Sequence, residues 1–208
     1  MGGMTPPRPA PAHRRGAAVH RAVLKATTEL LATEGLAGTR IAEIAARAGV
    51  HETSVYRRWG TRTNLILEAL SDRLDTELPL PDTGSTHEDL TTFFTALAGF
   101  LTTPTGQSLA RLALAAADDE PQSVQLRNQF WTARLDRARI LVQRGIDRGD
   151  LPPDSNPEFL LEALTGPLHL RIMQRDQPAG HAYVSRLVDL VLAGARSAPP
   201  DSHTRSNR

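Results

Sequence analysis

Apolar residues recur along this chain at intervals of three and four, the spacing that gathers them on one side of an α-helix. From about Gly16 to Thr33, Val19, Val23, Ala26, Leu30 and Leu31 follow that rule, and Gly35 supplies the residue type that commonly ends a helix. Three short units come next: RIAEIAARAG, HETSVYRRW and TRTNLILEALSDRL. The run Leu78-Pro79-Leu80-Pro81-Asp82-Thr83-Gly84-Ser85 then concentrates helix breakers and marks a boundary. Beyond it, Leu90, Phe93, Phe94, Leu97, Phe100 and Leu101 make a helical stripe over 86–102. Pro104-Thr105-Gly106 is expected to interrupt before a helix from about Gln107 to Ala117. Asp118-Asp119-Glu120-Pro121 suits the start of a long helix to about Gly149, because acidic side chains and proline are both favoured there. After the breaker from Gly149 to Asp154, two last helices are expected over about 155–175 and 180–196, with a kink at Pro167. No stretch alternates as a half-buried strand does, so the pattern predicts an all-α fold of about nine helices.

The middle of the first segment poses a chemical question. HETSVYRRW opens like the zinc-protease pattern H-E-x-x-H, but Val55 stands where the second histidine is needed, and the chain has no cysteine. No metal and no cofactor are expected. The apolar positions offer another reading. Ile41, Ile44 and Ala45 form one stripe, Ala48-Gly49-Val50 a tight turn, and Val55 and Trp59 share a face because they lie four apart. Two short helices joined by a glycine-containing turn make a helix-turn-helix, whose second helix enters the DNA major groove. With Val55 and Trp59 inward, Glu52, Thr53, Ser54, Tyr56 and Arg57 face out, and hydroxyls and guanidinium groups suit phosphate oxygens and base acceptors.

Charge agrees with that division. The chain carries a net charge of only +1, yet residues 1–75 carry +4 and residues 76–208 carry −3. A basic front and an acidic rear fit a DNA-binding head on a body with another task. Apolar runs are broken by charges, so no membrane span is expected; the N-terminus has no apolar signal core, and the missing cysteines suit a reducing cytoplasm.

IAEIAARAGV followed by TSVYRRWGTRTNLILEAL resembles the TetR family of bacterial transcription regulators in order and spacing over about residues 16–75. The resemblance implies an N-terminal three-helix helix-turn-helix head joined to a C-terminal helical ligand-binding and dimerisation domain. It divides the chain into a disordered arm (1–15), a DNA-binding domain (16–62), a connecting helix (63–78), a ligand-binding and dimerisation domain (79–198) and a disordered tail (199–208). Tyr56 matches the tyrosine that contacts a DNA phosphate, and Arg62 matches a basic residue at the start of the fourth helix, where the helix N-terminus also attracts phosphate. Thr53, Ser54 and Arg57 fall at groove-facing positions. Two positions depart from the family. His51 replaces the customary capping serine, and Arg40 stands where a capping threonine is common, with Thr39 just before it. Either the second helix begins a residue early, or Arg40 touches phosphate. Tyr56 also reads as a half-buried tyrosine, Arg57 and Arg58 as a solvated pair, and Arg8, Arg14 and Arg15 as either a minor-groove arm or an idle tail.

The expected partners are double-stranded DNA, a second copy of the chain and an unidentified small-molecule effector. Phe159, Ala163, Gly166 and Leu170 on one helix, and Val184, Leu187, Val188 and Val191 on the next, are the expected dimer surface, with internal core as the other reading. Phe93, Phe94, Phe100, Trp131, His169 and Met173 are the candidate pocket lining; aromatic residues at helical spacing also serve as plain core. The function expected is a repressor, released from a palindromic operator by its ligand. A helical enzyme is the rival, but no nucleophile beside a base, carboxylate pair or histidine cluster presents itself. A scaffold with a vestigial head is the third reading.

Overall fold

The computed structural model describes residues 11–114 and 121–197. Among the described residues there are nine α-helices and no strand: α1 (Pro11–Gly38), α2 (Ile41–Ala48), α3 (Glu52–Trp59), α4 (Arg62–Glu77), α5 (Thr86–Leu101), α6 (Pro104–Leu114), α7 (Pro121–Arg148), α8 (Pro157–His169) and α9 (His181–Ser197). A π-helical turn (Leu170–Gln174) follows α8. Arg8, the acidic run Asp118–Glu120, the tail and the side chains of Arg14 and Arg15 lie outside the described residues.

Two expectations about boundaries are corrected. Helix α1 begins at Pro11, inside the segment expected to be a disordered arm, and proline suits a first helical position because its missing N–H would have no partner there. Pro104-Thr105-Gly106 opens α6 rather than interrupting: Thr103 Oγ1 accepts from Gly106 N at 3.1 Å as a cap, and Pro104 takes the first position. Gly106 is required there, since a Cβ would come within 2.1 Å of the Phe100 carbonyl oxygen. Pro167 lies within α8, and the break comes after it, where Arg175 N reaches back to Leu170 O at 3.2 Å in the wider π spacing.

The chain forms two compact units that divide between Arg73 and Leu74, within α4. In the first, α1, α2, α3 and the start of α4 enclose one core: Val23, Leu24, Leu30, Ile41, Ile44, Val55, Trp59 and Leu65 are all buried. Burying each such aliphatic side chain contributes about 1.5–3 kcal/mol, so the short helices hold by packing rather than by intrinsic propensity. Gly35, with φ 66°, interrupts α1.

In the second unit α5 is central, packing against α6, α7, α8 and α9. Its first turn is pinned by polar ties. Asp89, fully buried, accepts from Thr83 N at 2.8 Å and from Arg148 Nη2 at 3.0 Å. Thr86 Oγ1 donates to Asp150 at 2.7 Å, and those Thr86 hydrogen bonds hold the Asp150 carboxyl below its ordinary pKa. A buried carboxylate satisfied in this way fixes the 79–85 connection onto α7.

Candidate nucleic-acid interface

The head is built around the turn between α2 and α3. Gly49 adopts the left-handed conformation, φ 68°, that an L side chain resists, while Gly49 N and Val50 N close the end of α2 on Ala46 O and Ala45 O. The chain then reverses into α3. Val55 and Trp59 are buried as their spacing requires, and Glu52, Thr53, Tyr56, Arg57 and Arg58 are exposed, with Ser54 half-buried. Tyr56 keeps 51 % of its surface in solvent. His51 takes the N-cap position without a side-chain hydrogen bond, its carbonyl accepting from Ser54 N at 2.9 Å.

Arg40 and Arg62 part company. Helix α2 begins at Ile41, so it does not start a residue early; Thr39 Oγ1 turns back to the Gly35 carbonyl at 2.7 Å. Arg40 is exposed beside α2 and pairs with Glu43 at 3.0 Å. Arg62 does not present its guanidinium freely. Its Nε donates to Thr39 O at 2.6 Å and its Nη2 to Leu36 O, closing carbonyls where α1 ends. Partial burial lowers its pKa from the ordinary value. Where the resemblance implies a phosphate contact, Nε and Nη2 of this side chain meet acceptors within the head.

A second set of ties escaped the sequence reading. Trp59 Nε1 donates to Glu68 Oε2 at 2.8 Å, and His20 Nε2 lies 2.5 Å from the other carboxylate oxygen. His20 and Trp59 stack with ring centroids 5.6 Å apart, Arg58 lies over the Trp59 ring, and Asn64 Nδ2 donates to Trp59 O at 2.8 Å. One carboxylate on α4 therefore joins α1 to the end of α3. Nothing local marks His20 or Glu68: the pair is separated by 48 residues.

The second unit holds a mostly apolar cavity of about 100 Å³. Phe93, Phe94, Trp131 and His169 line it, along with Leu97, Arg134, Arg137 and Thr165, which were not anticipated. Phe100 and Met173 do not line it: Phe100 is buried elsewhere along α5, and Met173 is half-buried on the π-helical turn. Burial lowers the His169 pKa, opposed by a hydrogen bond that the ring donates to the Thr165 backbone carbonyl.

The expected dimer residues also divide. Phe159 (65 % exposed) and Gly166 are exposed on α8 and Leu170 on the π-helical turn after it, Ala163 is half-buried, and Leu187 and Val191 are half-buried on α9 beside Leu190 (71 % exposed). Val184 and Val188 are corrected to core: with Leu192 they form the inward stripe of α9, fully buried within the unit. A groove lined by Phe159, Ala163, Leu190, Val191 and Gly194 runs between α8 and α9. Among the described residues no cluster could hold a metal ion, and no helix is long and apolar enough to cross a membrane.

Comparison with known proteins agrees with this geometry. Residues 23–69 match the family described as bacterial regulatory proteins, tetR family, and residues 80–191 match the tetracyclin repressor-like C-terminal domain. The HTH-type transcriptional regulator AqdR of Rhodococcus erythropolis is 33 % identical over 192 residues, 92 % of each chain. The uncharacterized HTH-type transcriptional regulator YdeS of Bacillus subtilis (strain 168) is 30 % identical over 92 % of this chain and 96 % of its own. Among solved structures, the TetR family transcription regulator SCO0332 superposes with a TM-score of 0.75 at 29 % identity, covering 87 % of this chain and 99 % of that one.

Proposed function

Because this chain belongs to the TetR family of bacterial regulatory proteins, and is therefore a DNA-binding transcription regulator rather than an enzyme, we propose that it acts in the cytoplasm as a ligand-released repressor that binds a palindromic operator as a homodimer. The observation that carries this reading is the division of α3. Its apolar pair is buried, while Tyr56, Arg57 and Thr53 are exposed together on the other side, with donors suited to phosphates and base edges. Tyr56 and Arg40 contact backbone phosphates, and Thr53, Ser54 and Arg57 meet the groove; Arg62 holds the head's shape behind them.

The half-boundaries proposed for the chain are an N-terminal head and a C-terminal body joined through α4. Dimerisation through α8 and α9 is supported by the exposed apolar face of Phe159, Leu170 and Leu190, a run of surface that a lone chain leaves in water. Two heads on one dimer read half-sites separated by about 34–36 Å or a multiple of that. A ligand in the second unit's cavity that favours the conformation with mis-spaced heads weakens operator binding by the same factor by which DNA weakens the ligand, about 5–150-fold for typical coupling. We take α4, which carries the chain from one unit into the other, as the element that moves.

Selection of bound fragments from random DNA by the purified full chain tests this. Two inverted copies of one motif, spaced by whole helical turns, are expected. Enrichment of a single unrepeated motif removes the dimeric operator, and absence of any enrichment removes sequence-specific binding.

A further inference from the structure

The cavity of the second unit carries a charge that its apolar walls do not require. Arg134 and Arg137 both line it, and both turn to the same carboxylate. Arg134 Nη1 donates to Asp75 Oδ1 at 2.7 Å, and Arg137 Nη1 donates to that same oxygen. Arg137 is tied further, its Nη2 donating to the carbonyls of Asp75 at 3.3 Å and Leu78 at 3.4 Å. Arg134 has no second hydrogen bond among the described residues: its guanidinium lies over the Phe130 ring, and its Nε is buried without an acceptor. Two guanidinium groups thus share one carboxylate, and among the described lining residues no other acid neutralises the remainder. A buried charged donor without an acceptor is costly, and an incoming acceptor recovers that cost.

The size and walls of the space limit what brings the acceptor. At about 100 Å³ it is far below the space a drug-sized ligand fills, and comparable to a void that admits one benzene ring. Phe93 and Phe94 meet edge to face at 5.4 Å, and Trp131, half-buried, completes an aromatic wall. His169, across the same cavity, adds no third cation at neutral pH, because burial lowers its pKa.

We infer that the cavity receives a compact hydrophobic carboxylate, one aromatic ring or a short acyl chain, whose anionic head is bound by Arg134. This rests on the effector reading proposed above and names the chemistry of that effector. Guanidinium presents N–H groups in a fork that matches a carboxylate's two oxygens, so an acid gains what an uncharged ligand of the same shape does not. The Asp75 carboxylate competes for the same group and sets how strongly the acid is held.

The test is isothermal titration of the full chain with benzoate, phenylacetate and hexanoate, each beside its amide. At least one acid is expected to bind on the order of tenfold or more tightly than its amide. Arg134→Gln is expected to erase that preference, and Asp75→Asn, which frees Nη1 of Arg134, to strengthen acid binding several-fold. Circular dichroism confirms that each variant is folded, and the two variants move affinity in opposite directions, which a general loss of structure does not. Equal binding of acids and amides overturns the inference, as does failure of every acid to bind the wild-type chain. An acid that binds with these preferences yet leaves affinity for the selected DNA unchanged supports the site's chemistry and removes the effector reading instead.

Discussion

Replacing Arg62 with glutamine separates two roles that look alike in the sequence. As a phosphate contact, the side chain adds affinity and salt dependence to DNA binding; as an internal tie, it adds stability to the head. The hydrogen bonds to Thr39 O and Leu36 O favour the second. A hydrogen bond from a charged donor contributes about 1.5–3 kcal/mol, and the residue is only half-buried, so losing two costs about 2–4 kcal/mol. In a chain of this size that lowers the melting temperature by roughly 5–15 °C. Salt-titrated binding to the selected operator is the second readout, since each lost phosphate contact reduces the slope of log affinity against log salt by about 0.9. The expected result for Arg62→Gln is a lower melting temperature with the slope unchanged when measured well below the melt. Tyr56→Phe is expected to do the reverse: its exposed hydroxyl supports nothing internal, so affinity falls while stability holds. An Arg62→Gln chain that melts like wild type but loses about 0.9 of the slope refutes the internal-tie argument.

Three other perturbations have defined outcomes. At Gly49 a Cβ meets nothing within 4 Å, so only its positive φ resists substitution; Gly49→Ala should cost about 1 kcal/mol in urea unfolding, Gly49→Val more and Gly49→Asn least. His169 has a pKa lowered from 6.5, so the unfolded chain takes up that proton first as pH falls. Stability from the neutral ring is therefore complete above 6.5 and declines as pH drops from there toward the depressed value, and His169→Gln should show a smaller loss of urea midpoint between about pH 7.5 and 5.5. Phe159→Glu with Leu190→Glu should leave a folded chain of monomer mass in sedimentation, whereas Val188→Glu, placing a charge in the core, should prevent folding.

The helical order and the reading face of α3 could be inferred from residues alone because both follow from local spacing. Val55 and Trp59 lie one turn apart, so burying one buries the other and turns Tyr56 outward. Long-range polar ties obey no such rule. Arg62 looks like any basic residue at a helix start until the carbonyls of Leu36 and Thr39 arrive beside it, and Glu68 looks like part of a solvated face until His20 and Trp59 close on it. Helix α9 shows a different limit. It is apolar on more than one side, and Val184-Val188-Leu192 and Leu187-Leu190-Val191-Gly194 are both plausible inward faces by period. Only packing against α5 decides between them. The same ambiguity put Phe100 among the cavity residues, although it lies on another face of α5 from Phe93, Phe94, Leu97 and Leu101, which line the void.

The carboxylate of Glu68 leaves α3 little freedom to aim itself. Moored through the indole of Trp59 to the fourth helix and through that same acid to the imidazole of His20, the reading rod has to follow any twist given to α4, like a key fixed to its shaft. If α3 reads DNA as proposed, gene control needs no hinge inside the head: a small torque on one rod would carry Tyr56 and Arg57 off the duplex together.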